Sequence, residues 1–365
     1  MNIKICPICF NNNVIISIDI PFFRHLDFTT VSNNCNLLKC TNCQTISNPG
    51  AEKTELPTFE KKKYADSHQT QQAMDVDGYT EPVTRSFLQA RILSEQILNN
   101  ENMRILDIGC FDGSLLVELD KIITNADLWG FDINPHLESF FPEKDNFHFI
   151  STDLENLEEP FDLITLSHSI IYIPNLNVLM ASISRLLKED GTLFIQIPDI
   201  CTNPFYSLMG DQSFIFTEIS LKNFLNKFGY KIEVISNNYF PRELLIGAKK
   251  NDSVNLDSYK KDYLFEQNIE TINRVKKELK NITYDSLTVL GTTVNAAFVD
   301  EIIGRQIHFF VDENLSKPDK KFRGKNVAHP KDLNNNSHTI LPYGESGNKI
   351  RERFEKLYKG TFTVV

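Results

Sequence analysis

The stretch Met103 to Leu119, MRILDIGCFDGSLLVEL, decides how the chain is read. Arg104-Ile105-Leu106-Asp107-Ile108 is a short apolar run that suits a buried strand. Gly109-Cys110-Phe111-Asp112-Gly113 reads as a tight turn. Ser114 reads as the cap of a helix whose Leu115, Leu116 and Leu119 pack back on the sheet. Strand, glycine turn and helix open a nucleotide-binding α/β fold. The glycines let backbone approach a ligand closely, and the helix N-terminus supplies free N–H groups.

The order of residues in the turn narrows the ligand. A pyrophosphate fingerprint wants G-x-G-x-x-G. Here Asp107 ends the strand and the turn reads D-x-G-x-x-x-G. An acid pointing into the turn repels a diphosphate and suits a ligand that carries an amine. On these residues the stretch resembles motif I of the class I S-adenosylmethionine (SAM) methyltransferases. Phe111 stands where members of that family often have a further glycine.

Working outward, Leu128 to Asp132 is a second strand ending in an acid, about 20 residues beyond the turn, where a carboxylate binds ribose hydroxyls. Phe147 to Ile150 is a third strand, followed by Asp153, and Phe161 to Leu166 is a fourth that runs into Ser167-His168. Leu176 to Leu187 has the spacing of an amphipathic helix, and Thr192 to Ile197 reads as a fifth strand ended by Pro198. The succession is similar to methyltransferase motifs I to V. The resemblance implies SAM contacts at Asp107, Gly109, Cys110, Gly113, Asp132, Ile133, Asp153, Leu154 and Ser167. Upstream, Glu81 to Asn99 reads as a helix with Pro82 in its first turn. Downstream, Glu218 to Phe228 reads as a helix, and Tyr230 to Ser236 and Leu244 to Lys249 as the last two strands of the core.

With 365 residues the chain is long enough for two or three domains. A net charge of -10 argues against general nucleic-acid binding, which needs a basic face. No apolar run approaches membrane-spanning length, and the first residues lead straight to Cys6 without a signal-peptide pattern. The expected location is the cytoplasm. Seven cysteines, an odd number, fit a reducing compartment better than a disulfide framework.

Four of those cysteines form two knuckles, Cys6-Pro7-Ile8-Cys9 and Cys40-Thr41-Asn42-Cys43. Four thiolates give the closed tetrahedral shell of a structural zinc site, with His25 and Cys35 as spare candidates. Val14 to Ile20 and Asn36 to Lys39 read as strands between the knuckles, and residues 44 to 60 read as a linker. Paired CxxC knuckles ahead of this core resemble the amino-terminal zinc module of the sugar C-methyltransferases. At the other end, Leu287 to Gly291, the helix Val294 to Ile303 and Ile307 to Asp312 start a second α/β unit, and Thr339 to Tyr343 and Lys349 to Leu357 continue it. Only Gly291 remains of a glycine fingerprint, so a structural or substrate-holding role is expected there.

The resulting expectation is an α/β chain with three parts. A zinc-binding module occupies residues 1–60, a seven-stranded Rossmann-like methyltransferase core 61–250, and a smaller Rossmann-like domain 251–365. The implied cofactors are SAM and a structural Zn2+. The implied substrate is a sugar, nucleotide-linked, and the implied state a monomer or homodimer. Methylation of another small or carrier-bound molecule is the alternative, and a non-catalytic SAM-binding scaffold is a third reading.

Methyl transfer asks the protein to align a nucleophile and remove its proton. His168, directly after the fourth strand, is the first candidate base. Asp211 and Tyr64 follow, with His68 weaker. Sugar C-methyltransferases carry a Tyr-x-Glu-His-like segment after the fifth strand. The matching stretch here is Leu208 to Phe214, in which Asp211 stands in for the glutamate and Gln212 replaces the histidine. A glutamine is no base at neutral pH, so carbon and oxygen methylation both stay open.

Overall fold

The computed structural model describes residues 5–25, 27–51, 73–74, 79–81, 83–96, 101–152, 154–234, 240, 242–251, 259–284, 286–314, 320–344 and 346–365. Among them, the central sheet has seven strands. These are β1 Arg104–Ile108, β2 Asp127–Phe131, β3 Phe147–Ile150, β4 Phe161–Ser167, β5 Leu187–Pro198, β6 Tyr230–Val234 and β7 Glu243–Lys250. Their spatial order is β3-β2-β1-β4-β5-β7-β6. β1 to β5 run parallel, and β7 is antiparallel to both neighbours. The chain leaves β1 toward β3 and returns to the other side of β1 as β4, so a crevice opens at the carboxyl ends of β1 and β4.

The apolar runs make this sheet because both faces are covered. The helices Arg85–Gln96 and Ser114–Asp120 bury Leu88, Leu93, Leu116 and Leu119 on one face with Ile105 and Leu163. The helices Leu176–Leu186 and Glu218–Lys227 bury Met180, Ile183 and Phe224 on the other with Leu106 and Ile164. The first of these helices starts at Arg85, later than the expected Glu81, because Val83–Thr84 pairs with Ala73–Met74 as a short ladder.

The cysteine module is built into the core rather than tethered to it. Asn13–Ile18, Cys35–Cys40 and Ile46–Ser47 form a sheet whose fourth strand is Phe214–Ile215. The expected linker therefore begins with a buried strand at Ile46, and residues 52–72 lie outside the described residues. Cys6, Ile8, Cys40 and Cys43 share one apolar core with Ile171, Leu176 and Phe214.

A third sheet holds β8 Leu287–Leu290, β9 Ile307–Val311, β10 Lys321–Phe322, β11 Lys325–Ala328, β12 His338–Leu341 and β13 Thr361–Val364, in the order β10-β11-β9-β8-β12-β13. Its helix Val294–Ile303 lies where the sequence places it. The helix Leu264–Lys280 buries Phe265, Ile272, Val275 and Leu279, spaced at three to four residues or multiples of it, in one apolar core with Leu287 and Val289 of β8 and with Phe22, Phe23 and Leu37 of the cysteine module. Among the described residues no helix is long and apolar enough to cross a membrane.

Candidate active site

β1 and β4 deliver the first pair of groups. Asp107 is 3% exposed and accepts a 2.6 Å hydrogen bond from the Thr165 hydroxyl. Burial pushes its carboxyl up to about 7 against that bond, with Asp132 and Asp112 adding negative charge nearby. An ionised Asp107 therefore calls for a cation at this turn.

Past β1 the chain bends sharply. Gly109 has φ +83°, its N–H donates to the Phe131 carbonyl at 2.7 Å, and a Cβ there would stand 2.5 Å from the Ser169 Cβ. Gly113 has φ +75° and precedes the helix Ser114–Asp120. The expected cap, Ser114, is instead the first helical residue. Asp112 Oδ1 accepts both its N–H, at 3.0 Å, and its hydroxyl, at 2.6 Å. Phe111 has φ +51°, in the left-handed region that favours glycine. Its N–H reaches Asp132 Oδ2 at 3.3 Å, and the Asn134 N–H reaches Oδ1 at 2.9 Å. Cys110 is buried in the turn, where burial holds its thiol well above the ordinary range. Ile133, next to Asp132, is 72% exposed, and Leu154 is buried in a single helical turn. Asp107, Gly109, Cys110, Gly113, Asp132 and Ile133 thus line or flank one crevice. Asp153, Tyr64 and His68 lie outside the described residues.

His168 follows β4 with φ +57°, and its N–H donates to the Gln196 carbonyl at 2.8 Å. Its Nε2 lies 3.0 Å from Glu243 Oε2 and 3.2 Å from Arg85 Nη1. Arg85 also donates to Glu243, as does Gln196 Nε2. Gln89 Nε2 bridges Ser167 Oγ at 2.6 Å and Gln196 Oε1 at 2.8 Å. Burial opposes the charge on Glu243, but His168 and Arg85 outweigh it and hold the carboxyl down to about 2. Of this network the sequence singles out His168, as a candidate base, and Ser167, as a SAM contact, and not Arg85, Gln89, Gln196 or Glu243. Gln196, a polar residue inside the apolar run Leu193 to Ile197, was the one local signal.

Asp211 stands elsewhere, on the loop after β5 that meets the cysteine module. Oδ2 accepts the His25 N–H at 2.8 Å, while Oδ1 is buried without a hydrogen-bond partner. Burial pushes its carboxyl up to about 6. The adjacent Gln212 is buried.

The four cysteines converge as the two knuckles imply. Cys6, Cys9, Cys40 and Cys43 have their sulfurs within 4.8 Å of one another. Cys6 and Cys43 are 3.7 Å apart and Cys9 and Cys40 3.3 Å, against roughly 3.8 Å between thiolates on a tetrahedral zinc. The N–H groups of Ile8 and Asn42 point at Cys6 and Cys40 sulfurs, both at 3.4 Å. This donor set fits a dication. Cys35 lies apart, 3.6 Å from Asn48 Oδ1, and His25 bonds through its backbone, so neither joins the cluster.

Comparison with known proteins finds methyltransferases. A family described as "Methyltransferase domain" matches residues 84–234. The chain is 30% identical over 123 residues to a sterol 4-C-methyltransferase, strm-1, of Caenorhabditis elegans, a match that covers 31% of this chain and 36% of that protein. It is also 30% identical over 113 residues to a trans-aconitate 2-methyltransferase of Enterobacter sp. (strain 638), covering 30% and 45%. The chain thus spans less than half the length of either relative. Among solved structures, a SAM dependent methyltransferase from Aquifex aeolicus superposes with a TM-score of 0.40 at 14% identity, covering 53% of this chain and 98% of that one. The glycopeptide N-methyltransferase MtfA complexed with SAM gives 0.37 at 10% identity, covering 50% and 99%. The family match thus marks residues 84–234 as similar to a methyltransferase domain.

Proposed function

We propose that the crevice between β1 and β4 binds SAM and that the chain methylates a sugar, nucleotide-linked, on oxygen or carbon. The observation that carries methyl transfer is the shared crevice of Asp107, Gly109 and Asp132 with His168 at the next strand end. SAM, when bound, supplies an electrophilic sulfonium methyl whose sulfur leaves as a thioether. Asp107 faces the methionyl amine and Asp132 the ribose hydroxyls, while Ile133 and Leu154 flank the adenine. His168 takes the proton of the acceptor, and Asp211 is the second candidate base. Four thiolates at Cys6, Cys9, Cys40 and Cys43 hold a structural zinc.

Two features support a sugar acceptor: the cysteine module packed on one side of the core, and the six-stranded, mostly parallel sheet that follows it. Both extend beyond residues 84–234, the segment that matches the methyltransferase family, so acceptor choice is assigned to them. The test is transfer of labelled methyl from SAM to a panel of nucleotide sugars, a sterol and trans-aconitate, with products located by NMR. A methylated nucleotide sugar supports the reading. Transfer only to one of the other acceptors overturns the sugar, and absence of SAM binding in calorimetry overturns methyl transfer.

A further inference from the structure

We propose that Glu243 is the positioning residue of this site: it accepts the His168 Nε2–H, fixes the ring in one tautomer and leaves Nδ1 as the acceptor of the substrate proton. The proposal rests on the methyl-transfer reading for the reaction, whereas the hydrogen bonds stand without it.

The direction of each bond is assigned from what each group can donate. Gln89 gives its two amide hydrogens to Ser167 Oγ and Gln196 Oε1. That orients Gln196 with its own amide nitrogen toward Glu243 Oε2. Arg85 only donates, and its partner is Glu243 Oε1. The carboxylate, ion-paired with the Arg85 guanidinium, only accepts. Oε2 also meets His168 Nε2 at 3.0 Å, and since a carboxylate only accepts, the proton of that bond is assigned to the nitrogen. Arg85 Nη1, 3.2 Å away, competes for the same nitrogen as a donor, and the carboxylate, the nearer and charged partner, is taken to win the Nε2 proton. Among the described residues Nδ1 makes no hydrogen bond, which leaves its lone pair for a substrate proton.

Topology explains how a residue so far along the chain arrives here. β7 is antiparallel to β5, and Glu243 at its start pairs with Pro198 at the carboxyl end of β5. The one reversed neighbour thus brings an N-terminal residue to the edge where the parallel strands end. When Nδ1 takes a proton, the imidazolium that forms lies against a buried anion already in place, so little reorganisation is needed.

The role of Arg85 makes the proposal specific. In Glu243→Leu, the Arg85 donor remains beside Nε2 with no carboxylate between them. Nε2 must then accept, and the proton moves to Nδ1. Side-chain 15N NMR of the full chain should show Nε2–H in the wild type and Nδ1–H in Glu243→Leu. kcat for methyl transfer should fall about 100-fold with KM for SAM unchanged. The double variant Arg85→Leu/Glu243→Leu removes the competing donor, and it should recover part of that loss with mixed tautomers. The isosteric Glu243→Gln keeps an acceptor and folds most readily. It should retain Nε2–H and lose about 10-fold in kcat, because the imidazolium loses its counter-charge. Nδ1–H in the wild type overturns the proposal, as does a folded Glu243→Leu with unchanged tautomer and turnover. The NMR result needs no substrate, so a failure of SAM binding would sink the methyl-transfer reading alone.

Discussion

Asp107 is sealed at the end of β1 with the Thr165 hydroxyl 2.6 Å from its carboxylate. That one bond does not offset the loss of water, and its carboxyl sits near 7 instead of the ordinary 3.8. A carboxyl that holds its proton more tightly when folded weakens the fold once it must ionise. The penalty grows as pH rises from about 4 to about 7 and is complete above that, on the order of 4 kcal/mol. Asp107→Asn should therefore melt higher than wild type at pH 8 in scanning calorimetry, with the gap closing toward pH 4. The same variant should lose at least 10-fold in SAM affinity, because a charge-assisted bond is gone. Wild-type affinity should fall as pH drops below 7. Equal melting of the two proteins at pH 8 would sink the argument.

Gly109 and Ser169 make a second testable pair. A Cβ on Gly109 would stand 2.5 Å from that of Ser169, at a φ of +83°. The backbone penalty is about 1–2 kcal/mol and the clash adds to it. Gly109→Ala should lower stability and weaken SAM binding together. Removing the opposing carbon in Gly109→Ala/Ser169→Gly should return the clash part but not the backbone part. Denaturant melts of the two singles and the double measure the coupling. Additive losses would mean that the contact does not limit the turn.

These first two sites could be read directly from Met103 to Leu119, because strand, turn and helix there are set by neighbours in sequence. The turn that carries Asp107, Gly109 and Gly113 is legible from spacing, and their role as SAM contacts comes from the resemblance. Glu243 could not be found this way. Its partner His168 is 75 residues away, and only the reversal of β7 joins them. Ile46–Ser47 was equally hidden, since two residues carry no period and their strand partner is Phe214–Ile215. The helix Arg85–Gln96 was visible by its apolar spacing, but the ladder that delays its start was not. What could be read was local, and what was missed depended on chain reversals and distant pairing.

The cysteine cluster should behave as part of the core. Metal analysis should find about one zinc per chain. Cys40 sits in the same apolar core as Ile171 and Phe214, and Asn223 Nδ2 donates to the Cys43 carbonyl at 3.2 Å. Cys40→Ser, or removal of metal by a chelator, should lower the melting temperature of the central sheet as well as the module. Far-UV circular dichroism and tryptophan fluorescence from Trp129 on β2 should report one shared transition. Two separated transitions would show that the module folds by itself.

Arg323 links the third sheet to the loop that carries His25. It bonds Asp300 Oδ2 at 2.7 Å, Glu301 and the Phe28 carbonyl, and its guanidinium lies 5.6 Å from the Phe23 ring centre. Phe28 in turn packs on Phe322, with ring centres 6.0 Å apart. The far side of this loop presents the His25 N–H to Asp211. Loss of the arginine should thus loosen the wall around Asp211 without touching the turn at Gly109. Arg323→Ala should raise KM for the acceptor about 10-fold and leave SAM affinity unchanged. The stability cost should be modest, on the order of 1–3 kcal/mol, because Asp300 keeps Lys325 at 2.6 Å. Steady-state kinetics with calorimetric SAM titration separates the two effects. An unchanged acceptor KM would mean that the third sheet braces the module and does not shape the acceptor site.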